Sequence, residues 1–258
     1  MSRGYITIAQ NSEDIDYLEM SYALALSLKA TQENSNLCVC VDEETKKLIT
    51  DKHKKVFDAI VDIPWNDDAR GDKWKIHNKW KYPHMTPYDE TIILDSDMIF
   101  TESVDYWWGY LAKKDVWCCT NVKTFRNEDV TSDYYRKKFT QLNLPNVYSN
   151  FTYFNKSELT FEFFRMVELI MTHWNVYFDK FLAGVGQNWM SADVAYALAI
   201  QLLDIEAETC DYDIKDVPTF VHMKSMVQNV PVTMIESNWT KSITSELGDD
   251  LQVKIGNF

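Results

Sequence analysis

The stretch ETIILDSDMIF, residues 90–100, decides the fold of this chain. Its run TIIL, residues 91–94, has the apolar and β-branched composition of a buried strand. That strand ends directly in two carboxylates, Asp95 and Asp97, with Ser96 between them. In parallel α/β sheets, ligands bind at the carboxyl ends of the strands, so the two acids stand where such a sheet has its binding site.

Three further strands are predicted before this one, in the runs YITIAQN, NLCVCV and AIVDIPW. Between the first two, apolar residues recur at helical spacing up to about Ala30, and Ser12 is the expected N-cap of that helix. DEETKKLITDKHKKVF, residues 42–57, predicts a second helix, and the basic segment before residue 90 predicts a third. Strands that alternate with helices indicate a Rossmann-like, mostly parallel central sheet flanked by helices.

The second half of the chain is predicted to add strands at DVWCCT, SNFTYF and PTFVHM. Ser157 is the expected cap of a long helix, and Ser191 the expected cap of the helix in SADVAYALAIQLL. The whole chain, 1–258, is expected to form one domain. It divides into a nucleotide-binding half (about 1–100), a sugar and acceptor half (about 101–230) and a C-terminal tail (about 231–258).

The net charge of −13 argues against bulk binding of nucleic acid or anionic membranes. One segment differs: RGDKWKIHNKWK, residues 70–81, holds five basic residues and two tryptophans. It reads either as a helix face that buries Trp74 and Trp80 or as a local anion site for a phosphate-bearing ligand. No apolar run approaches the ~18 residues of a membrane span, and the first residues do not resemble a secretion signal. A cytoplasmic protein with no membrane span is therefore expected, and its five cysteines are expected to be reduced and buried.

The two acids have a spacing that suits a metal ion. Residues i and i+2 of an extended segment lie on the same side, roughly 6–7 Å apart along the chain. Asp95 and Asp97 are thus candidate ligands for one hard divalent cation, Mn²⁺ or Mg²⁺, whose shell ligand phosphates would complete. The alternative is a pair of exposed acids at a strand end, with Asp95 acting as a turn residue.

Several motifs in order resemble the GT-A glycosyltransferases, nearest to the family 8 group that includes glycogenin. They are TIAQNSEDIDY, YLEMSYALALSLK, the run from residue 37 to 65, and the acid pair itself. The resemblance extends from Tyr5 to about Gln228. It implies a single GT-A domain that uses a UDP-sugar and a metal ion and retains the anomeric configuration.

The resemblance also implies roles for individual residues. Tyr17 would stack on uracil, the backbone of Ser96 would contact the ribose, and a lysine sixteen residues before Asp95 would contact the donor. That lysine is Lys79, with Lys75 as its competitor. The implied donor-binding residues are Ala9, Asn11, Tyr17, Lys79, Asp95, Ser96 and Asp97, and the implied metal ligands are Asp95, Asp97 and His222.

Asp193 matches the family's aspartate near the reacting sugar, with Gln187 as a competing alignment. The alternative for Asp193 is a carboxylate that only meets the positive end of a helix dipole. The chain departs from the family in the segment 148–150, which affects the expected sugar contacts, and at Gln228, where a lysine would stand; Lys224 is the candidate replacement.

Two other classes of protein are compatible with the sequence. A haloacid-dehalogenase-like phosphatase also places two aspartates after an apolar strand, although normally near the N-terminus. A nucleic-acid binder would use residues 70–81, and a glycosyltransferase acting on a modified DNA base would combine both ideas. The acceptor (a glycan, a protein, a small molecule or a modified nucleobase) and a possible homo-oligomer are not specified by the sequence.

Overall fold

The computed structural model describes residues 2–72, 74–123, 136–186, 188–212 and 218–221. Its strands are β1 Arg3–Ile8, β2 Leu37–Val41, β3 Ala59–Asp62, β4 Glu90–Leu94, β5 Val116–Cys119, β6 Val122–Lys123, β7 Tyr148–Asn155 and β8 Phe220–Val221. Six of them form one sheet in the order β3-β2-β1-β4-β7-β5, and β6 and β8 form a small parallel pair.

The first four strands are parallel, as the alternation of strands and helices predicts. β1 lies at the centre of this group, between β2 and β4. β7 is antiparallel to both of its neighbours, and its register with β4 places Leu94 opposite Phe151. The start of β7 therefore lies at the same edge of the sheet as the end of β4.

The helices are α1 Tyr17–Thr31, α2 Glu43–Lys46, α3 Asp51–Val56, α4 Tyr82–Met85, α5 Trp107–Leu111, α6 Lys137–Leu142, α7 Glu158–Thr172, α8 Trp174–Tyr177, α9 Ala192–Leu203 and α10 Glu206–Thr209. A 3₁₀ turn, Lys79–Lys81, precedes α4, and a π-helical segment, Phe178–Leu182, follows α8. In the described part of the chain, no helix is long and apolar enough to cross a membrane.

Successive side chains of each strand point to opposite faces of the sheet, and they contribute to two apolar layers, one on each face. Ile6 and Ile93 point toward the layer that contains α7 and α9, whereas Tyr5 and Ile92 point toward the layer that contains α1. All five cysteines are buried and have free thiols, as expected. The predicted single α/β domain with helices on both faces is confirmed.

The N-terminal caps of three helices agree only in part with the expected cap residues. Ser157 caps α7 by accepting a hydrogen bond from the Thr160 amide, as expected. The expected Ser12 cap of α1 is wrong: Asp16 caps this helix, because its carboxylate accepts from the Glu19 amide at 3.1 Å. Ser191 is the N-cap residue of α9, but its side chain makes no capping hydrogen bond.

The expected single helix over residues 42–57 is also wrong. It is divided into α2 and α3, because the chain carries a second start signal in its middle. Asp42 caps α2 through the Thr45 amide at 2.8 Å. The Thr50 amide then donates to Nδ1 of His53 at 3.0 Å and begins α3.

Candidate active site

The centre of the candidate site is an ion pair at the carboxyl end of β4. Nζ of Lys79 lies 2.6 Å from Oδ1 of Asp95. Lys79 is nearly buried, whereas Asp95 keeps about a third of its side chain exposed. Burial acts to lower the pKa of Lys79, but Asp95, Asp193 and Asp97 outweigh it and hold the pKa above its ordinary value. One ammonium group therefore lies within electrostatic reach of three predicted site carboxylates.

Of the two competing lysines, the structure places Lys79 and not Lys75 at the acid pair, because Lys75 donates to the Ala69 carbonyl at 3.0 Å. Of the helix expected within the segment 70–81, the described residues contain a 3₁₀ turn at the end of the segment. Trp74 is 61% exposed. The expectation that a helix face buries both tryptophans is therefore wrong for Trp74.

A buried polar network fixes the residues on either side of Lys79. The Asn78 amide donates to Gln10 Oε1 at 3.0 Å and to Asp67 Oδ1 at 2.7 Å. Its oxygen accepts from Lys81 Nζ at 2.8 Å, and Gln10 closes the network by donating to Asp67 at 2.7 Å. Because Gln10 follows β1, the network holds the 3₁₀ turn Lys79–Lys81, called the lysine turn below, against the edge of the sheet.

The Asn78→Ala variant is expected to lower the free energy of unfolding by about 3 kcal/mol. The substitution leaves Gln10, Asp67 and Lys81 short of partners, and each unpaired buried polar group costs about 1–3 kcal/mol. Urea unfolding followed by circular dichroism measures this loss. The control is Asn36→Ala, at an exposed amide with two hydrogen bonds, which should change stability by less than about 1 kcal/mol. Equal losses of unfolding free energy in the two variants would show that the buried network stabilises the protein no more than an exposed pair of hydrogen bonds does.

The turn after β1 places the other predicted donor-binding residues. Tyr17 begins α1 with its ring half-buried, and burial together with Asp95 and Asp97 raises the pKa of its hydroxyl to about 12. The Asn11 side chain is occupied within the turn: it donates to Asp16 at 2.9 Å and accepts from the Leu18 amide at 2.9 Å.

The remaining two donor-binding candidates are also placed. Ala9 is fully buried, and its amide bonds the Cys40 carbonyl at 2.8 Å. Its contribution to a ligand site is therefore limited to backbone position. Ser96 is nearly buried between the two acids, 7% exposed. The structure thus brings Tyr17, Lys79, Asp95 and Asp97 together, while Asn11 and Ala9 shape the turn beside them.

Asp193 lies in the first turn of α9 and is held by three donors. Arg136 Nη1 lies 2.6 Å from its Oδ2, and the amide and hydroxyl of Ser149 donate to Oδ1 at 2.9 and 2.8 Å. Burial acts to raise the pKa of Asp193, but Arg136, Ser149 and Lys79 outweigh it and lower the pKa below its ordinary value. The stability that this carboxylate contributes is present above its ordinary pKa and is lost as pH falls through the lowered value.

Sequence reasoning missed two residues of this cluster. The Arg136 guanidinium lies between the rings of Phe139 and Tyr148, 3.8 and 3.9 Å from their centroids. It is separated from Asp193 by 57 positions, and no local pattern indicates the pair. Tyr196, three residues after Asp193, is fully buried, and burial together with the nearby Asp95 and Asp193 raises the pKa of its hydroxyl. Its helical spacing from Asp193 is the one signal that the sequence offers.

The donor set suits a divalent cation that also binds phosphates. Two carboxylates on one strand end match the few protein oxygens that Mg²⁺ or Mn²⁺ uses when ligand phosphates complete its shell. Among the described residues, no group of three or more His, Cys, Asp or Glu side chains is arranged to hold a metal ion. His222, the predicted third ligand, lies outside the described residues, as do Gln187, Lys224 and Gln228.

Comparison with known proteins supports the fold. Mouse xyloside xylosyltransferase 1, in its apo form, superposes with a TM-score of 0.53 over 96% of this chain and 94% of its own, at 10% identity. The fold is of the GT-A type. At this identity the likeness shows the fold alone, so the activity of the xylosyltransferase is not transferred to this chain here.

Two other solved structures match more weakly. The apo form of the glycosyltransferase GlyE from Streptococcus pneumoniae TIGR4 gives a TM-score of 0.43 at 12% identity, over 82% of this chain and 45% of its own. Glucosyl-3-phosphoglycerate synthase from M. tuberculosis gives 0.40 at 12% identity, over 96% and 81%. At these scores neither carries an argument about this chain. No family model matches the chain, and the comparison with curated proteins by sequence finds no significant match.

Proposed function

We propose that the chain is a metal-dependent glycosyltransferase that moves a hexosyl or pentosyl group from a UDP-sugar to an acceptor, with retention of configuration. The observation that carries the proposal is the Lys79–Asp95 pair at the carboxyl end of β4, in a GT-A fold, with Asp97, Tyr17 and Asp193 around it. The order of motifs in the sequence supports the family 8 type and therefore retention.

In this proposal the residues beside β4 bind the donor diphosphate. Asp95 and Asp97, with His222, would hold Mn²⁺ or Mg²⁺, which supplies positive charge to the departing diphosphate. The ammonium of Lys79 lies beside the same carboxylates and adds a fixed positive charge for the phosphate oxygens. Because its pKa is raised, Lys79 remains charged throughout the neutral pH range.

Asp193 acts on the sugar and not as a proton acceptor. A general base works best with a pKa near the operating pH, whereas the pKa of Asp193 lies below the ordinary carboxyl value. The carboxylate therefore stays ionised and stabilises the positive charge that develops on the sugar when its bond to the diphosphate breaks. Arg136 and Ser149 hold it in one position for that purpose.

Nucleotide release from a panel of nucleotide sugars tests this function directly. The protein is incubated with Mn²⁺ or Mg²⁺ and each donor, without acceptor, and the freed nucleotide is measured. Slow, metal-dependent hydrolysis of at least one UDP-sugar is expected. Release of phosphate from phosphomonoesters, with no turnover of any nucleotide sugar, would contradict the proposal and favour the phosphatase alternative.

The Tyr17→Ala variant is expected to weaken UDP binding by about 1–3 kcal/mol, the amount that stacking of one base on an aromatic ring contributes in nucleic-acid-binding proteins. Tyr17→Phe should keep most of the affinity, because it retains the ring. The control is Tyr22→Ala on the same helix, whose ring packs against His53 away from the acid pair. Calorimetric titration with UDP measures all three. An unchanged affinity in Tyr17→Ala would exclude Tyr17 from the base site.

A further inference from the structure

A cavity lies against the lysine turn, Lys79–Lys81, and Trp80 and Lys81 belong to its lining. Its volume is about 430 Å³, within the range of about 300–1,000 Å³ that small-molecule sites occupy. None of the predicted site residues lines it. The side chains that matter for its chemistry are Trp65, Asp68, Trp80, His84, Glu168 and Thr172.

Two stacked indole rings form one wall. The ring centroids of Trp65 and Trp80 are 5.6 Å apart and their planes differ by 9°. The His84 ring makes a T-shaped contact with Trp65, with the ring centroids 5.0 Å apart, and the centroid of Phe161 of α7 lies 5.7 Å from that of His84. The wall is therefore aromatic, and it is built from the residues after β3, the 3₁₀ turn and α4.

The backbone of Trp65 is strained. Its φ of 60° is in the left-handed region, where a bulky side chain is a genuine outlier and the backbone is strained. Its indole nevertheless remains 66% exposed, although burying an aromatic ring would be favourable. A strained backbone that presents a large ring to solvent is typical of a ligand-binding position.

Two carboxylates line the cavity. Asp68 takes a hydrogen bond from Trp80 Nε1 at 3.2 Å and pairs with Lys81 Nζ at 3.0 Å. Lys81 is 1% exposed and also donates a hydrogen bond to Asn78, so its ammonium group is already paired within the protein. Glu168 provides a second carboxylate from α7. Among the described lining residues, no cation remains available for an anionic ligand.

This combination favours an uncharged ligand with many hydroxyl groups. The C–H bonds of a sugar ring carry partial positive charge and pack against the negative face of an indole. Sugar hydroxyls donate to carboxylates such as those of Asp68 and Glu168. Glu168 repels phosphate, the charge of Asp68 is paired with Lys81, and burial lowers the pKa of His84, which favours its uncharged ring. Nucleic acid and phosphorylated ligands are therefore disfavoured.

We propose that this cavity is a saccharide-binding site that takes a neutral glycan by stacking it on Trp65 and hydrogen-bonding it to Asp68 and Glu168. The 3₁₀ turn separates the cavity from the acid pair by a single residue: Lys79 contacts Asp95, and Trp80 lines the cavity. A glycan bound here is the remote part of the acceptor. That last assignment rests on the proposed function, whereas the binding itself does not.

Titration with neutral trisaccharides of glucose, xylose, galactose and mannose tests the proposal. Tryptophan fluorescence and saturation-transfer NMR follow binding to the wild type and to Trp65→Ala. At least one trisaccharide is expected to bind, and Trp65→Ala to weaken it at least about tenfold, by analogy with loss of one stacked base. Glu168→Gln should weaken it less. Tyr106→Ala is the matched control, because Tyr106 is 70% exposed and packs on Trp107 elsewhere.

The outcomes separate this proposal from the enzymatic one. Trp65→Ala should keep acceptor-free hydrolysis of the donor and lose transfer to the glycan, if its melting temperature shows a folded protein. No binding of any trisaccharide, or equal binding by wild type and Trp65→Ala, would overturn the saccharide site, as would binding of an oligonucleotide or peptide in its place. Failure of donor hydrolysis in the wild type would overturn the proposed function and leave the saccharide site standing.

Discussion

The Asp97→Asn variant is expected to keep its fold and to lose metal-dependent donor hydrolysis by about a hundredfold or more. A metal ion on the departing phosphate is worth several kcal/mol, and each 1.36 kcal/mol is a factor of about ten in rate. Removing one of two crowded carboxylates also relieves their repulsion, so no loss of stability is expected. Thermal melts with and without Mn²⁺ plus UDP, together with initial rates, measure both effects.

The control for this variant is Asp62→Asn. Asp62 ends the parallel strand β3, is 63% exposed and pairs only with Lys46 among the described contacts, so its charge loss should leave the rate unchanged. If Asp97→Asn melts with the same Mn²⁺-dependent shift as the wild type, Asp97 is not a ligand. The metal site would then have to be sought among other carboxylates.

The Asp193→Asn variant is expected to slow sugar transfer by about a hundredfold while UDP affinity stays within about threefold. The substitution removes a charge that acts on the sugar and not on the nucleotide, so the loss falls on kcat. It also removes one ionic partner of the nearly buried Arg136, so the free energy of unfolding should fall by about 3 kcal/mol. Steady-state kinetics, calorimetry with UDP and urea unfolding separate the three effects.

Asp211→Asn is the matched control for Asp193→Asn. Asp211 is likewise nearly buried, pairs with Lys114 at 3.0 Å and accepts from Trp117 Nε1 at 3.1 Å. Its loss should destabilise the fold and leave kcat unchanged. A similar fall in kcat for both variants would mean that Asp193 acts only through stability, as the helix-dipole alternative requires.

The central sheet could be read from the sequence because its signals are local. Each of the first four strands is an apolar run followed by turn residues, and Lys79 stands at a fixed spacing from Asp95. The direction of β7 could not be read, since an apolar strand has the same composition in either direction. The cap of α1 was misassigned for a related reason: Ser12 and Asp16 are both good caps, and the bond between Asn11 and Asp16 favours Asp16.

The second half of the candidate site depends on long-range packing. Arg136, which stands just before α6, meets Asp193 of α9 across 57 positions of the chain. The positive φ of Trp65 and its stack on Trp80 are likewise decided by neighbours that no short window contains. Local motifs therefore indicate the cluster around Asp95, whereas the contacts of Asp193 depend on packing that no short segment specifies.

The antiparallel pairing of β7 with β4 limits how the molecule can move. Ser149, which holds Asp193, is on β7, and the acid pair follows β4, so adjacent hydrogen-bonded strands carry both parts of the site. A hinge between the two halves of the chain would have to break this ladder. Rotation of the two halves about a hinge between β4 and β7 is therefore opposed by the backbone hydrogen bonds that join these two strands.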